Sequence, residues 1–250
     1  MRPTIAFDQL GAGPPVILVL GAFNTRAAGA PLAAALAAAH TVFNYDRRGR
    51  GGSGDGAPYA VEREIEDLDT FVQRAGGAAA VFGFSSGAAL ALAAAAHGLA
   101  ITRLALFDLP LTVDPKAEPV DHAAELSALV RAGRRGDAVE YFQRAMVGLP
   151  EPVVAQLRRA PFRPALEAMA HTLVYEATIL GAGHLRLEQA GAVRAPTLAI
   201  AAGAAQPFMR ETAEALARAV PDGRALVLEG ATHDLVPEVL APPLLRFYAR

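Results

Sequence analysis

Apolar residues along this chain gather in short unbroken runs rather than in alternation. Thr4 to Phe7, Val16 to Leu20, Val42 to Tyr45 and Ala79 to Phe82 come first, each bounded by glycine, proline or charge. Arg103 to Phe107, Thr197 to Ala201 and Ala225 to Leu228 continue the series. A run that is apolar throughout predicts a parallel strand covered on both faces. Between the runs lie stretches with helical patterning: Ala27 to Ala39, Val61 to Arg74, Ser86 to His97, Arg210 to Val220 and Pro237 to Tyr248. Strands alternating with helices predict an α/β fold, a mostly parallel central sheet flanked by helices.

From about Asp114 to Ala192 the alternation stops and no strand pattern is found. Ala123 to Arg131, Asp137 to Met146, Pro152 to Arg159 and Pro164 to Leu180 read as helices separated by proline or glycine. A helical block between two sheet strands predicts a cap over a site at the strands' carboxyl ends. The plainer alternative is a stack of helices completing the core. The expected division is a core of residues 1–113 and 193–250 with an inserted helical cap at 114–192.

Composition narrows the function classes. With 250 residues, 53% of them hydrophobic, the chain has material for one large core or two small ones. A formal net charge of −2 argues against a nucleic-acid surface, which needs a basic stripe. The one dense cluster, Arg47, Arg48 and Arg50, sits in a glycine-rich turn. With no cysteine, disulfides, thiolate metal sites and cysteine nucleophiles are excluded. Met1-Arg2-Pro3-Thr4 lacks the layout of a signal peptide, and the apolar runs are too short to span a bilayer. The expectation is a cytoplasmic protein with neither a nucleic-acid nor a membrane partner.

The most specific signal is Gly83-Phe84-Ser85-Ser86-Gly87, a G-x-S-x-G sequence. Five residues match cheaply, but the setting adds weight: Ala79 to Phe82 before it read as a buried strand, and Ala88 to Leu92 after it as a buried helix. A serine on so sharp a turn adopts strained dihedrals, and the flanking glycines leave room where strand and helix crowd together. Its hydroxyl then projects at a helix N-terminus, where unpaired N–H groups favour an oxyanion. Ser86 would supply one such donor. The plainer alternative is a strand-to-helix turn with serine as N-cap.

On Gly83 to Gly87 in that setting, the chain resembles the α/β-hydrolase superfamily along essentially its whole length. The resemblance implies an α/β-hydrolase fold with a variable cap at Asp114 to Ala192. Val16 to Phe23 resembles the family's first central strand and oxyanion loop, with Leu20-Gly21 where a His-Gly pair is common. Because the donor is backbone, Ala22 can still complete the oxyanion hole, with Phe23 as the alternative. Two preorganised donors stabilise a tetrahedral intermediate by roughly 3 kcal/mol each. Asp46-Arg47-Arg48-Gly49-Arg50-Gly51-Gly52-Ser53 resembles the family's D-x-R-G-x-G-x-S loop and reads as structural, locking loops beneath the site. It lacks the G-K-[ST] of a phosphate-binding loop.

His233, between the last strand and the last helix, stands where the family keeps its base. His40, His97, His122, His171 and His184 read as surface or core residues, with His171 and His184 as further candidates for the cap side of the pocket. The acid departs from the common pattern. After Thr197 to Ala201 the loop is Ala202-Gly203-Ala204-Ala205-Gln206-Pro207, without a carboxylate. The family's second placement, one strand earlier, falls on Asp108. Glu211, in the next helix and expected to face solvent, Asp234, a candidate helix cap, and Asp114 are the alternatives. If none reaches His233, a dyad remains.

The resemblance implies acyl transfer to Ser85 followed by hydrolysis, on a small apolar ester or lactone. Cap residues Phe142, Met146, Met169 and Leu173 are candidates for the substrate side, although most apolar cap residues belong to helix packing. An aspartate at the elbow would have indicated a dehalogenase or epoxide hydrolase, and Ser85 speaks against both. C–C hydrolase, lyase and perhydrolase chemistry use the same triad, and a non-catalytic binding protein on a degenerate fold is the competing class. No cofactor or metal is expected, since no H-E-x-x-H-like spacing occurs.

Overall fold

A computed structural model describes residues 3–113 and 120–249. Seven strands form one sheet: β1 (Phe7–Leu10), β2 (Pro15–Val19), β3 (Thr41–Tyr45), β4 (Ala79–Phe84), β5 (Ile101–Phe107), β6 (Thr197–Ala202) and β7 (Gly223–Leu228). Their spatial order is β1-β3-β2-β4-β5-β6-β7, parallel throughout except for the antiparallel β1–β3 edge pair.

Helices α1 (Arg26–Leu36), α2 (Val61–Arg74) and α3 (Ser86–Ala96) alternate with the first strands. After β5 come α4 (His122–Arg131), α5 (Arg135–Tyr141), α6 (Glu151–Leu157), α7 (Arg163–Ala168), α8 (Leu173–Leu180) and α9 (Leu187–Gly191). The chain then returns to the sheet, with α10 (Pro207–Ala219) before β7 and α11 (Pro237–Tyr248) at the end. None of the described helices is long and apolar enough to cross a membrane.

The unbroken apolar runs have a direct cause. In β2, Ile17 and Val19 pack among the apolar residues of α2 and α3, while Val16 and Leu18 pack against those of α1 and α11. A central strand between two helical layers has no face left for a polar residue. α2 shows the complementary pattern: its Ile65, Leu68, Phe71 and Val72 are buried and the opposite face is charged.

The first expected strand shifts. Thr4 to Ala6 pair with the arginine-rich loop instead, Asp46 N donating to Ala6 O at 2.9 Å and Gly54 N to Thr4 O at 2.9 Å. β1 begins only at Phe7, as an edge strand whose middle residues are exposed. The expected helix from Pro164 to Leu180 is broken at Met169, where a single 3₁₀ turn, Ala170–Thr172, separates α7 from α8. α9 had no sequence expectation. Asp114, the expected start of the insertion, lies outside the described residues.

The helices between β5 and β6 have an apolar cluster of their own, built on Leu126, Val139, Phe142, Ala170 and Leu173. Ala22 and Phe23 of the sheet layer pack against it. α5 continues as a π-helical turn, Phe142–Met146, a rare widening frequently found at functional positions.

Candidate active site

β4 delivers Ser85. Its backbone lies at φ 55° and ψ −127°, outside the regions open to most residues. Ser85 occupies the N-cap position of α3, yet its hydroxyl makes no capping bond. Its Oγ lies instead 3.3 Å from His233 Nε2. The N-cap alternative therefore fails on the direction of the side chain. Gly87 is obligatory for the turn, because a Cβ there would stand 2.3 Å from the Val19 carbonyl oxygen. Gly21 is nearly as constrained, its Cβ position falling 2.8 Å from the Ser85 Cβ.

Asp108 follows β5 directly and is fully buried. Its Oδ2 lies 2.9 Å from His233 Nδ1, and its Oδ1 accepts the Ala202 N–H at 2.8 Å. Both carboxylate oxygens are thus engaged, which fixes the group's orientation. With a carboxylate on Nδ1, the neutral imidazole carries its proton there and turns the Nε2 lone pair towards Ser85.

The loop after β6 is joined to the loop after β7 by Gly203 N to Leu228 O at 2.9 Å and Ala204 N to Ala231 O at 3.0 Å. That pairing carries the His233 segment to the ends of β4 and β5. The Phe84 ring lies 4.8 Å from the imidazole, centroid to centroid, and supports its face.

Three described non-glycine residues have positive φ: Phe23 at 60°, Ser85 at 55° and Asp108 at 50°. All three sit at the carboxyl end of the sheet around one cavity or directly behind it. Strain of this kind persists only where surrounding structure enforces it, and it concentrates at functional sites.

That cavity, about 640 Å³, opens at Ser85. Ala22, Phe23 and Ser86 line it, and none of the three donates its N–H to a backbone carbonyl among the described residues. Phe142 and Met146 reach it from the π-helical turn, and the Phe142 ring meets Phe23 edge-on at 5.5 Å. Gln206, Phe208 and Met209 close it from the β6–α10 side. Gln206 Nε2 also donates to Val147 O at 3.0 Å, tying that side to the helical insertion. Among the described lining residues there is no lysine or arginine.

Several expectations need correction. Met169 and Leu173 do not line this cavity: Leu173 is spent on the insertion's own core, and Met169 ends α7. His171 faces Asp55, with 3.6 Å between Nε2 and Oδ2, and His184 lies 3.3 Å from Thr112 Oγ1. Neither lines the Ser85 cavity. Asp234 caps no helix, since its carboxylate accepts from Thr232 Oγ1 at 2.8 Å, and Glu211 is exposed as expected. Missed altogether were Asn24, Phe84, Gln206, Phe208 and Met209.

Beneath the cavity the arginine-rich loop is locked by buried charge. Arg47 grips Glu64 with Nε and Nη2, both at 2.8 Å, and reaches Glu176 on α8 at 3.3 Å; Arg50 pairs with Glu176 as well. Tyr59 donates to Glu64 at 2.9 Å. Burial alone would raise the Glu64 carboxyl. Arg47 outweighs it, with help from Arg50 and Tyr59, and holds it below its ordinary value.

The comparisons with known proteins agree with this architecture. A family model described as the alpha/beta hydrolase family matches residues 16–242. An alpha/beta hydrolase from Sphaerobacter thermophilus DSM 20745 is 50% identical, with a TM-score of 0.92 over 98% of this chain and 96% of that one. The fold is shared more distantly with a thermophilic esterase from Thermogutta terrifontis, at 23% identity and TM-score 0.71 over 98% and 91% of the two chains. An enol-lactonase from Burkholderia xenovorans LB400 is similar at 22% identity and TM-score 0.69, over 98% and 96%. No curated protein sequence matches the chain. With the match spanning nearly the whole sheet and its insertion, the chain belongs to the alpha/beta hydrolase family.

Proposed function

We propose that this protein is a serine hydrolase that cleaves a small apolar carboxylic ester or lactone through an acyl-enzyme on Ser85. The observation that carries the reading is the continuous contact from Ser85 Oγ through the His233 imidazole to a fully buried Asp108. In the first half-reaction Ser85 Oγ bonds to the carbonyl carbon while its proton passes to His233 Nε2. The negative charge that develops on the carbonyl oxygen is met by the N–H groups of Ser86 and of Ala22 or Phe23. The intermediate collapses, the C–O bond to the alcohol breaks, and His233 returns the proton to that oxygen. A water deprotonated by His233 then attacks the acyl carbon, releasing the acid and restoring Ser85.

Asp108 holds the tautomer and stabilises the imidazolium that forms twice in the cycle. The helices from α4 to α9 act as the cap, with Phe142 and Met146 as its contribution to substrate binding. A neutral apolar substrate fits a wall without lysine or arginine.

The test is labelling by a fluorophosphonate probe, together with hydrolysis of p-nitrophenyl esters from acetate to octanoate. Labelling and turnover that vanish in Ser85→Ala and turnover that collapses in His233→Ala support the proposal. An unlabelled wild type without turnover would overturn it in favour of a non-catalytic binding role.

A further inference from the structure

A second cavity, of about 590 Å³, opens between α2, α3 and the segment from Ile179 to Ala192. Its walls are largely apolar: Ile65, Ala89, Leu92, Ala93, Leu111 and Ile179. Glu62, His97 and Arg186 are exposed and belong to the rim, and His184 and Gln189 are the half-buried polar groups of the wall. Among the described residues, Leu180 alone lines both this cavity and the one at Ser85. The walls also meet in sequence, since Pro110 lines the Ser85 cavity and Leu111 the second one.

Leu180 is placed to act as a partition. It is the last residue of α8 and only partly buried. Gly181 and Gly183 follow it, at φ 55° and 76°, and a Cβ on either would meet no atom within 4 Å. Space is thus open beside Gly181, while Thr112 N donates to Gly183 O at 2.8 Å and Glu176 anchors the helix before Leu180. Leu180 packs against the edge of the core formed with α2 and α3 and stays partly exposed, so shortening it removes wall between the two cavities without emptying a fully buried site.

We infer that the second cavity is a subsite for the uncharged alkyl tail of a longer-chain ester, with Leu180 as the residue that sets chain-length preference. The inference rests on the Ser85 reading above. A short acyl group fills only the first cavity; a longer one passes Leu180 and lays its methylenes against Leu92, Ala93 and Ile179. Each methylene buried there strengthens binding about fourfold.

The experiment compares kcat/KM for p-nitrophenyl acetate, octanoate and dodecanoate in wild type, Leu180→Ala, Leu180→Val and Leu180→Ala/Ala93→Leu. Opening the partition is expected to raise the dodecanoate-to-acetate ratio about tenfold in Leu180→Ala and by less in Leu180→Val. Ala93 lines only the second cavity, so enlarging it should return the ratio to the wild-type value. An unmoved ratio in the Leu180 variants, or a gain that survives Ala93→Leu, overturns the inference while leaving the serine reading intact. A wild type that neither labels nor hydrolyses any ester removes both. Should Leu180→Ala fail to fold, Leu180→Val carries the comparison, alone and combined with Ala93→Leu.

Discussion

The buried guanidinium of Arg47 donates to the carbonyl of Leu20 at 3.1 Å, and Leu20 immediately precedes the Gly21-Ala22 turn at the cavity. The same guanidinium holds Glu64 on α2 and Glu176 on α8. One side chain thus ties a core helix, the helical insertion and the candidate oxyanion turn together. The charges are balanced among Arg47, Arg50, Glu64 and Glu176, as burial requires.

Removing Arg47 leaves two buried carboxylates short of a partner. Arg47→Ala is expected to lose about 3 kcal/mol or more in urea unfolding. Arg47→Lys keeps the charge without the fork and should lose less stability. If the Leu20 contact positions the turn, kcat falls in the folded Arg47→Lys enzyme with little change in KM. A wild-type kcat would show that the turn holds its place unaided.

Glu64 gives the protein an acid-side weakness. A carboxyl held below its ordinary value contributes stability that is complete above the unfolded pKa and is lost as pH falls through the folded one. The melting temperature of the wild type should therefore drop from about pH 5 downwards. Glu64→Gln is expected to melt lower at neutral pH and to lose less on acidification. Parallel wild-type and variant curves would mean that other carboxylates carry the acid sensitivity.

Asp108→Asn keeps the shape and the Ala202 N–H contact but removes the charge facing His233. A loss of roughly two to four orders of magnitude in turnover is expected, with the fold retained. Near-wild-type turnover would point to a dyad.

Gly21→Ala brings a methyl group within 2.8 Å of the Ser85 Cβ. The turn must move, at a cost of about 1–3 kcal/mol typical of overpacking. Steady-state kinetics should show a fall in kcat of at least tenfold, from displaced donors. A variant that keeps wild-type kcat would argue against Ala22 or Phe23 as an oxyanion donor.

Gln206→Ala removes the link to Val147 O, a neutral bond near the surface. Stability should change by about 1 kcal/mol at most. Hydrogen exchange over the π-helical turn and the residues after it should quicken. Unchanged exchange would leave the link without a part in holding the insertion closed.

Much of this was legible along the chain. Ser85, with its glycines between an apolar strand and an alanine-rich helix, is a local arrangement, and local sterics are written in consecutive residues. His233 became a candidate only through the family resemblance, which places a base after the last strand. The substrate side was harder. Phe142, Met146, Met169 and Leu173 look alike in sequence, all apolar in helical segments. Leu173 and Phe142 even share one cluster; Phe142 and Met146, the two ends of the π-helical turn, line the cavity, while Leu173 stays in the packing.

What the sequence by itself determined was the alternation of strands and helices around the sheet, its covered faces and the elbow, because periodicity and close packing act between near neighbours. Only the tertiary structure decided that Asp108 meets His233 across 125 positions of chain, that Gln206 faces Val147, and that Leu180 stands between two cavities. Those contacts depend on sheet order and on loops meeting at one edge. No short stretch of residues encodes such a meeting, since each partner's pattern is satisfied equally well without the other.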